Sequence, residues 1–406
     1  MKIRSIGDKN LPSIELFNHM TEINTFEKHA KLTVTLLLVF GIVLSDFVLA
    51  NIYKAVTGQS FYTRIVNPGG AIEKKYRIPS DLYHHDLKKN VSEPAMWGPI
   101  AYRMITNSLG FRDKEIRTIA KKPDKYRIVF MGDSFVEGSG IRYEDTFVGL
   151  LDNDYAGRLE LLNAGVGSYA PTAYYRKSRY LLEQYGLNFN EMVVFIDISD
   201  IEDETRTYAN YPETVSEVDP LPTILPSESK GSRIRAFFKE NSILYGIPRI
   251  IKAKKKISRS TAPPVYDNAI INYRRALWTV DKEQYVKYGE VGLKKAKANI
   301  LNLKRLLDKH HIKLSLVVYP WPTQIFYNDL DSIQVREWQK LCADNGIKFI
   351  NLFPYFVTDN PSINKQTISD YYINDDMHWN QNGHKKVAEI LRKELESFQA
   401  ANKIQL

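Results

Sequence analysis

A short apolar strand that runs into a glycine turn constrains the fold of this chain most. The stretch is Tyr126–Gly140. It opens with a strand candidate at Tyr126–Met131, whose apolar run Ile128–Met131 has the length and residue types of a buried strand. The periodicity changes at Gly132, where a helix is predicted to begin. Strands that turn directly into helices are typical of open parallel α/β sheets, whose chemistry lies at the carboxyl edge. Ser134 is therefore predicted at that edge, as a helix N-cap or as a nucleophile.

Strands and helices alternate after this stretch. The remaining strand candidates are short apolar runs at Arg158–Leu162, Met192–Ile198, Lys313–Tyr319 and Lys348–Leu352. Helical patterns occupy Thr172–Tyr185, Val291–Lys309, Ser332–Asn345 and Gly383–Ala400. This alternation predicts a parallel sheet that is covered on both faces. We therefore expect an α/β fold, a three-layer α/β/α sandwich around a five-stranded parallel sheet.

Two regions fall outside this alternation. Residues 51–125 are rich in Tyr, Pro and Gly, and we interpret them as a lead-in region that packs on the α/β domain at 126–400. The interval between the third and fourth strands is far longer than a crossover needs, which indicates an insertion at about 201–285. Its lysine run Lys252–Lys256 is either a solvated helix end or a contact for headgroups or glycans.

The segment Leu32–Ala50 is apolar enough to cross a membrane. At 1.5 Å per residue its length approaches the ~30 Å hydrocarbon core. Asp46, near its carboxyl end, interrupts it, and a buried core helix is the alternative interpretation. The end of the segment resembles a signal-peptidase site, but the leader at 1–31 is long for a signal peptide. We therefore expect an uncleaved anchor in the inner membrane, with a cytoplasmic leader and the α/β domain on the periplasmic or extracellular side.

Charge and cysteine content limit the classes of partner, disulfide and metal site that the chain can have. The formal net charge is +9, which suits an anionic partner such as membrane headgroups or envelope polymer. Basic residues are spread along the chain and no nucleic-acid motif is present, so we expect no nucleic-acid partner. Cys342 is the single cysteine, which excludes intrachain disulfides and cysteine-rich metal sites. His84 and His85 lack a third ligand at a recognised spacing, so hydrogen-bonded loop histidines are favoured over a metal site.

A second chemical motif stands just before the last helix, in Asp375-Asp376-Met377-His378. An Asp three residues ahead of a His can curl back and accept from Nδ1, which leaves Nε2 to face a nucleophile. A serine hydroxyl needs such an imidazole to take its proton. The sequence therefore predicts a triad of Ser134, His378 and Asp375, with Asp376 as the rival orienting residue. No metal or organic cofactor is required.

Acyl transfer also needs donors for an oxyanion. The Ser134 backbone N–H is one candidate. The glycine-containing loop at 163–169 follows the second strand, and Gly167 is the preferred second donor, with Gly165 and Ser168 as rivals. The third strand ends close to Ser199, which brings a hydroxyl to the same edge.

Together these blocks resemble the SGNH (GDSL) hydrolase superfamily over about 126–400. Gly132-Asp133-Ser134 is similar to the first block, the glycine loop to the second, Ser199-Asp200 to the third, and Asp375-x-x-His378 to the last. The resemblance implies a flavodoxin-like fold and a Ser134 nucleophile with Asp133 and Asp200 in support. Ser199 stands where the superfamily usually has an Asn oxyanion donor; losing one such donor costs on the order of 3 kcal/mol.

The whole chain also resembles bacterial proteins with one amino-terminal membrane helix and an external SGNH domain, including proteins of alginate and D-alanine pathways. Thr106–Asp113 and Tyr319–Pro322 look like features of such proteins. The resemblance implies acyl-ester chemistry on cell-envelope carbohydrate, by hydrolysis or acyl transfer, beside a multispanning membrane-bound O-acyltransferase. The alternatives are a lipid esterase or thioesterase at the membrane face, and a non-catalytic glycan-binding or assembly subunit.

Overall fold

The computed structural model describes residues 29–212, 221, 230–251 and 268–402. The chain divides into two compact units, one of Met1–Pro68 with Glu228–Lys254 and one of Gly69–Ser227 with Lys255–Leu406. Most of the predicted leader, at 1–28, and the lysine run at 252–256 lie outside the described residues. The domain boundaries given above stay predictions.

The larger unit contains all nine described strands. In chain order they are β1 Arg77–Ser80, β2 His84–Leu87, β3 Ser92–Trp97, β4 Ile100–Ile105, β5 Tyr126–Met131, β6 Leu159–Asn163, β7 Glu191–Ile196, β8 Lys313–Val318 and β9 Lys348–Asn351. Five of them form a parallel sheet in the order β6-β5-β7-β8-β9. β1 pairs with β2 and β3 with β4 as two antiparallel hairpins.

The helices surround this sheet or belong to the smaller unit. The α-helices are Ala30–Thr57, Pro68–Glu73, Ser134–Glu137, Phe147–Asp154, Pro171–Arg179, Asp200–Thr205, Lys230–Asn241, Asn268–Ile271, Lys282–Gln284, Glu290–Lys309, Pro322–Phe326, Ile333–Asn345, Phe353–Phe356, Pro361–Tyr371 and Gln381–Asn402. Tighter 3-10 turns occupy Tyr143–Asp145 and Arg274–Thr279, and π-helical turns occupy Tyr62–Val66, Tyr180–Tyr185 and Tyr285–Gly289.

The predicted α/β fold with a five-stranded parallel sheet is confirmed. β5 has the expected bounds, and the other four strands lie within two residues of theirs. Every residue of the central strand β7 is buried, because helices cover the sheet and leave neither face of this strand to water. Its neighbour β5 is buried from Arg127 onward for the same reason.

The lead-in region contributes structure to the larger unit from Gly69 onward. Its two hairpins are followed by Arg112, whose backbone N–H donates to the Asn163 carbonyl at the end of β6 (3.1 Å). The Arg112 guanidinium is buried and donates to the carbonyls of Glu137, Gly138 and Ile141. These bonds satisfy carbonyl groups left open at the end of a short helix, so Arg112 fixes the loop that follows Ser134–Glu137.

The smaller unit is built on the helix Ala30–Thr57, which includes the whole predicted span Leu32–Ala50. Among the described residues it is the one helix long and apolar enough to cross a membrane. The predicted insertion is divided between the units: its middle, including the helix Lys230–Asn241, joins the long helix, whereas residues from 268 onward join the larger unit.

Candidate active site

Ser134 lies at the carboxyl edge of the sheet, where β5 turns into a helix. Asp133 is the N-cap of that helix, and its Oδ1 accepts from the Phe135 N–H (3.0 Å). The turn needs glycine at 132, since a Cβ there would lie 2.4 Å from a methyl carbon of Val136 and 3.2 Å from the Phe195 Cβ. The tight turn therefore presents Ser134 as the first residue of the helix, as the sequence predicted.

Ser134 and His378 are brought into hydrogen-bond contact. Ser134 Oγ lies 2.7 Å from His378 Nε2. The other ring nitrogen, Nδ1, lies 2.5 Å from Asp376 Oδ1. A carboxylate is an acceptor only, so Nδ1 carries the proton and Nε2 accepts from the serine hydroxyl. This geometry matches a nucleophile, a base and an orienting carboxylate in sequence.

The orienting carboxylate is Asp376, so the prediction of Asp375 for this position is wrong. Asp376 Oδ1 also accepts from the backbone N–H of His378 (3.0 Å), which closes a two-residue Asx turn around the ring. Asp375 stands one residue earlier, in the left-handed region at φ 56°. The local turn therefore makes the two-residue spacing sufficient, whereas the sequence argument required three.

Asp376 is held by a second donor from the lead-in region. Trp97, at the end of β3, donates its Nε1–H to Asp376 Oδ2 (3.0 Å). Burial would raise the pKa of Asp376, but the hydrogen bond and charge of His378 outweigh burial and hold that pKa below its usual range. Asp376 is therefore ionised at neutral pH. Trp97 was not among the site residues predicted from the sequence, because nothing in its local pattern points to a residue 279 positions away.

Aromatic rings hold the His378 imidazole from two sides. Trp97 meets it edge-on at 4.7 Å between centroids, and Phe135 stacks on it at 4.8 Å. The His378 side chain is only 6% exposed. The imidazole is therefore fixed in orientation by packing as well as by its carboxylate.

Gly167 does not offer its amide to an oxyanion in this structure, contrary to the prediction. Its N–H donates to Glu137 Oε2 (2.7 Å). The side chain of Glu137 is fully buried, and its Oε1 accepts from Arg77 Nη2 (2.7 Å). A buried carboxylate with a cation on one oxygen strongly favours a donor on the other, so Glu137 and Arg77 together engage this amide.

The other predicted oxyanion donors differ in whether they already make a hydrogen bond within the protein. Gly165 is engaged, since its N–H donates to Asn163 Oδ1 (3.1 Å). The N–H groups of Ser134 and Ser168 make no hydrogen bond to another described residue. Ser199 lines the same cavity as Ser134, and its hydroxyl likewise has no partner within the described part of the chain. Ser134, Ser168 and Ser199 are therefore the available donors.

Three buried carboxyl groups lie beneath the nucleophile. Asp133, Asp197 and Asp200 each place an oxygen within 4.8 Å of the others. Burial and the neighbouring Asp197 raise the pKa of Asp133 well above its usual value, and burial with the same neighbour does so for Asp200. Asp200 Oδ1 has no hydrogen-bond partner among the described groups. The cluster is therefore suited to hold protons.

Hydrogen bonds occupy most oxygens of this cluster. Tyr319 donates its hydroxyl and Trp321 its Nε1–H to Asp197 Oδ2, at 2.9 and 2.6 Å. Asp197 Oδ1 accepts from the Ser199 N–H (2.7 Å), and Asp200 Oδ2 from the Tyr174 hydroxyl (2.9 Å). Tyr319 and Trp321 of the Tyr319–Pro322 motif thus supply the hydrogen bonds of Asp197, just after β7.

The two histidines of the lead-in region are hydrogen-bonded. Their Nδ1 atoms lie 2.8 Å apart, and His85 Nε2 lies 2.8 Å from the Gly167 carbonyl. Burial lowers the pKa of His85 to about 4, and burial also lowers that of His84, so both rings are neutral at pH 7. His85 therefore donates through Nε2 to Gly167 and accepts through Nδ1 from His84. It supports the loop that contains Gly167 and Ser168.

A cavity of about 900 Å³ opens over Ser134 and His378. Its wall mixes aromatic, aliphatic, hydroxyl and charged side chains: Trp97, Tyr273, Trp321, Ile78, Pro79, Met377, Ser139, Ser168, Ser199, Thr207, His84, His85, Arg77, Arg275, Glu73 and Asp376. The volume lies within the range of small-molecule pockets, about 300–1,000 Å³.

The chain is similar to several solved structures, with low sequence identity and low TM-scores. A psychrotrophic esterase EstA from Pseudoalteromonas sp., in a structure inhibited by monoethylphosphonate, has 13% identity and a TM-score of 0.37, covering 68% of this chain and 100% of its own. A GDSL-like lipase from Bacteroides thetaiotaomicron has 12% identity and a TM-score of 0.34, covering 69% and 92%. An alpha/beta hydrolase enzyme from the metagenome of Lake Arreo, Spain, has 11% identity and a TM-score of 0.32, covering 70% and 98%.

Neither a model of a known protein family nor a curated protein sequence matches the chain. The strand order β6-β5-β7-β8-β9 and the position of Ser134 after β5 are observed directly. His378 meets that serine from the loop before the last helix. The larger unit thus brings the sequence blocks that resemble the SGNH hydrolase superfamily together at one edge of a five-stranded parallel sheet.

Proposed function

We propose that this chain is a serine-dependent ester hydrolase or acyl transferase. The observation that carries the proposal is the Ser134 Oγ to His378 Nε2 distance of 2.7 Å, with Asp376 at 2.5 Å from the other ring nitrogen. A serine hydroxyl in that position can lose its proton to the imidazole as it attacks. The buried carboxylate stabilises the imidazolium that forms.

The reaction has two steps. Ser134 Oγ bonds to the acyl carbon while its proton passes to His378 Nε2. The ester C–O bond then breaks, and the leaving oxygen takes the proton from His378. Water or a sugar hydroxyl next attacks the acyl-serine, with His378 again as base, and Ser134 recovers its proton. Hydrolysis and transfer share the acyl-serine and differ only in the second nucleophile.

The developing oxyanion is held by groups that the site leaves available. We assign the Ser134 N–H and the Ser199 hydroxyl to this role, with the Ser168 N–H as the loop donor in place of Gly167. The hydrogen bond from Gly167 to Glu137 supports this change. A site with three donors is comparable with other acyl-transfer sites, in which one donor contributes about 3 kcal/mol.

The proposed substrate is an O-acyl ester on cell-envelope carbohydrate. The mixed aromatic and hydroxyl wall of the cavity supports a sugar ligand, because aromatic faces cover the C–H surface of a ring while hydroxyl groups bind its rim. The proposed partner is a multispanning O-acyltransferase in the same membrane.

We also propose that the helix Ala30–Thr57 anchors the protein in the inner membrane, with the larger unit on the periplasmic side. The helix continues past the signal-peptidase-like sequence to Thr57 without a break. Two side chains of this helix bind the insertion. Lys54, after the signal-peptidase-like sequence, pairs with Glu240 (2.9 Å), and Asp46, before its end, accepts from the Ser242 hydroxyl (2.5 Å). These contacts support an uncleaved anchor. The orientation is tested by fusing the carboxyl terminus to a reporter that works only in the cytoplasm. The reporter should be inactive, and an active reporter would contradict the orientation.

The nucleophile is tested with a fluorophosphonate probe on the detergent-solubilised full-length protein. Wild type is expected to be labelled, and Ser134→Ala is expected to show no labelling. Ser362→Ala is the matched control, because Ser362 is exposed near the start of the helix Pro361–Tyr371 and lies outside the cavity, and it should label as wild type does. Absence of labelling of wild type, beside a labelled control esterase, would favour the non-catalytic binding or assembly subunit.

The substrate class is tested separately. Acetyl release or transfer is measured on O-acetylated envelope polysaccharide and on a lipid ester of similar acyl length, with wild type and Ser134→Ala. Activity on the polysaccharide that depends on Ser134 is the expected result. Equal activity of the two proteins on polysaccharide would contradict the carbohydrate proposal, and Ser134-dependent activity on the lipid ester alone would favour the lipid esterase.

A further inference from the structure

Asp46, the acidic residue inside the apolar helix, is satisfied by the insertion. Its Oδ1 accepts from the N–H groups of Ile243 (2.9 Å) and Leu244 (3.0 Å), and its Oδ2 accepts from the Ser242 hydroxyl (2.5 Å). Phe47, the next residue, stacks on Phe237 at 6.2 Å between centroids. The segment 230–251 therefore lies beside the carboxyl-terminal part of the apolar span.

The segment 230–251 exposes large apolar side chains. Six of them are between 38% and 58% exposed: Ile234, Phe237, Phe238, Leu244, Ile247 and Ile251. The first three stand at i, i+3 and i+4 of the helix Lys230–Asn241, so they form one stripe. The last three follow this helix along the chain, Leu244 in a turn and Ile247 and Ile251 in the helical residues after it. Exposed patches of this kind mark a surface that is covered by something apolar.

Cations and tyrosines border this apolar surface. Arg64, Arg235, Lys239 and Arg249 are exposed. Lys239 Nζ lies 5.5 Å from the centre of the Tyr62 ring, and Arg249 lies 4.6 Å from that of Tyr245. Both acidic side chains of the described part of this unit are engaged, Asp46 as above and Glu240 with Lys54. The border is therefore positively charged, with tyrosines at the boundary between polar and apolar surface.

This order of surfaces matches a membrane interface. Tyrosine rings are enriched at headgroup level, and cations beside apolar side chains attract anionic lipids. An amphipathic segment buries its apolar face about 5–10 Å into the boundary between headgroups and acyl chains. The hydrogen bonds to Asp46 also keep a carboxylate from facing hydrocarbon without a partner, which a lipid environment requires.

We propose that segment 230–251 is a membrane-binding element that inserts its apolar face into the bilayer beside the anchor helix. Its border cations bind the phosphates of anionic lipid headgroups. This inference rests on the proposed membrane anchor, and it goes beyond it, because a single spanning helix does not need a second contact with lipid. The interaction surface belongs to the smaller unit and is independent of the esterase chemistry.

The test uses full-length protein in vesicles, with Cys342→Ala as background so that one introduced cysteine carries an environment-sensitive fluorophore. The labelled positions are Phe238→Cys and Ile247→Cys on the apolar face, Ala236→Cys on the opposite side of the same helix, and Leu37→Cys in the anchor. Quenching by lipids with brominated acyl chains is measured. We expect about twofold quenching at 37, 238 and 247, and little at 236, as for an interfacial helix.

The possible results separate the two proposals. Quenching at 37 without quenching at 238 and 247 overturns the inference and leaves the anchor. No quenching at any position, including 37, overturns the anchor and the inference together. Labels at 238 and 247 that neither brominated lipid nor aqueous iodide can reach indicate a protein partner on this face, which also overturns the inference.

The headgroup contact is tested by lipid charge. Quenching at 238 is compared between phosphatidylcholine vesicles with and without phosphatidylglycerol. Phosphatidylglycerol is expected to increase quenching in the parent protein, and the increase should be lost in a Lys239→Gln/Arg249→Gln variant. Equal quenching in both kinds of vesicle, for parent and variant alike, would contradict the proposed contact with anionic headgroups.

Discussion

At the scale of single residues, two adjacent aspartates in one loop differ in whether they bind the catalytic imidazole. Asp375 and Asp376 both precede His378, and their spacing alone favours Asp375. The Asx turn around His378 gives the hydrogen bond to Asp376 instead, at 2.5 Å. The triad of the proposed mechanism is therefore Ser134, His378 and Asp376.

The pair offers a matched test of that assignment. Asp376→Asn should lower kcat by roughly 10³–10⁴-fold, since an amide no longer holds the Nδ1–H tautomer or stabilises an imidazolium. Asp375→Asn should retain activity within about threefold, because asparagine tolerates the left-handed conformation at φ 56°. Steady-state kinetics on a chromogenic acetyl ester measures both. A larger loss in Asp375→Asn than in Asp376→Asn would contradict the assignment.

The buried carboxyl cluster predicts a pH dependence of stability. Burial, Asp197 and Asp133 raise the pKa of Asp200 in the folded state. An unfolded Asp ionises near pH 3.9. Above that pH the folded state keeps a proton that the unfolded state has lost. The stabilisation that Asp200 contributes is therefore full below about pH 3.9, and it is lost as pH rises through the raised folded pKa.

Asp200→Asn should therefore flatten the fall of stability as pH rises above about 3.9. The stabilisation that it removes is ~1.4 kcal/mol of unfolding free energy for each unit by which the folded pKa is raised. Asparagine Oδ1 can still accept from Tyr174. The control is Asp359→Asn, an exposed aspartate whose replacement should leave the slope unchanged. Thermal melts followed by circular dichroism across this pH range measure the slope. The same slope in wild type and Asp200→Asn would refute the claim that Asp200 keeps its proton in the folded state.

At the scale of elements, the β3–β4 hairpin contributes to the site although it precedes the α/β domain in sequence. Trp97 at the end of β3 donates to Asp376 and meets the His378 ring. Arg112, just after the hairpins, holds the carbonyl groups that follow the nucleophile helix. The lead-in region thus completes the surroundings of the triad.

Trp97 is a positioning residue in this arrangement, and two substitutions separate its contacts. Trp97→Phe removes the hydrogen bond to Asp376 and keeps a ring against His378; we expect kcat to fall about tenfold with KM unchanged. Trp97→Ala removes both contacts and should lower kcat further. Kinetics with thermal melts distinguishes positioning from folding. A rise in KM at constant kcat would show that Trp97 binds substrate instead.

At the scale of the whole molecule, the insertion is shared between two units. Residues 230–251 join the amino-terminal helix, whereas Tyr273 and Arg275 reach the cavity over Ser134. A single insertion in sequence therefore serves both the proposed membrane contact and the proposed substrate site.

The contacts of the long helix predict that the mature protein retains it. Cleavage after Ala50 would remove Asp46 and leave the N–H groups of Ile243 and Leu244 without their acceptor. Intact mass of protein extracted from membranes should therefore include residues 32–50, and the protein should stay in the membrane fraction at alkaline pH. A soluble form that begins at Asn51 would contradict this prediction.

The sequence by itself determined the parallel sheet, all five of its strands, and the pairing of Ser134 with His378. Apolar runs between helical patterns specify a sheet through burial alone, and parallel strands bring their carboxyl ends to one edge. Tertiary structure decided three points: Asp376 over Asp375, Glu137 on the Gly167 amide, and Trp97 on the triad carboxylate. Each depends on the partner of one hydrogen bond. Turn conformation selects that partner for His378, and the packing of distant segments selects it for Gly167 and Trp97; residue spacing encodes neither.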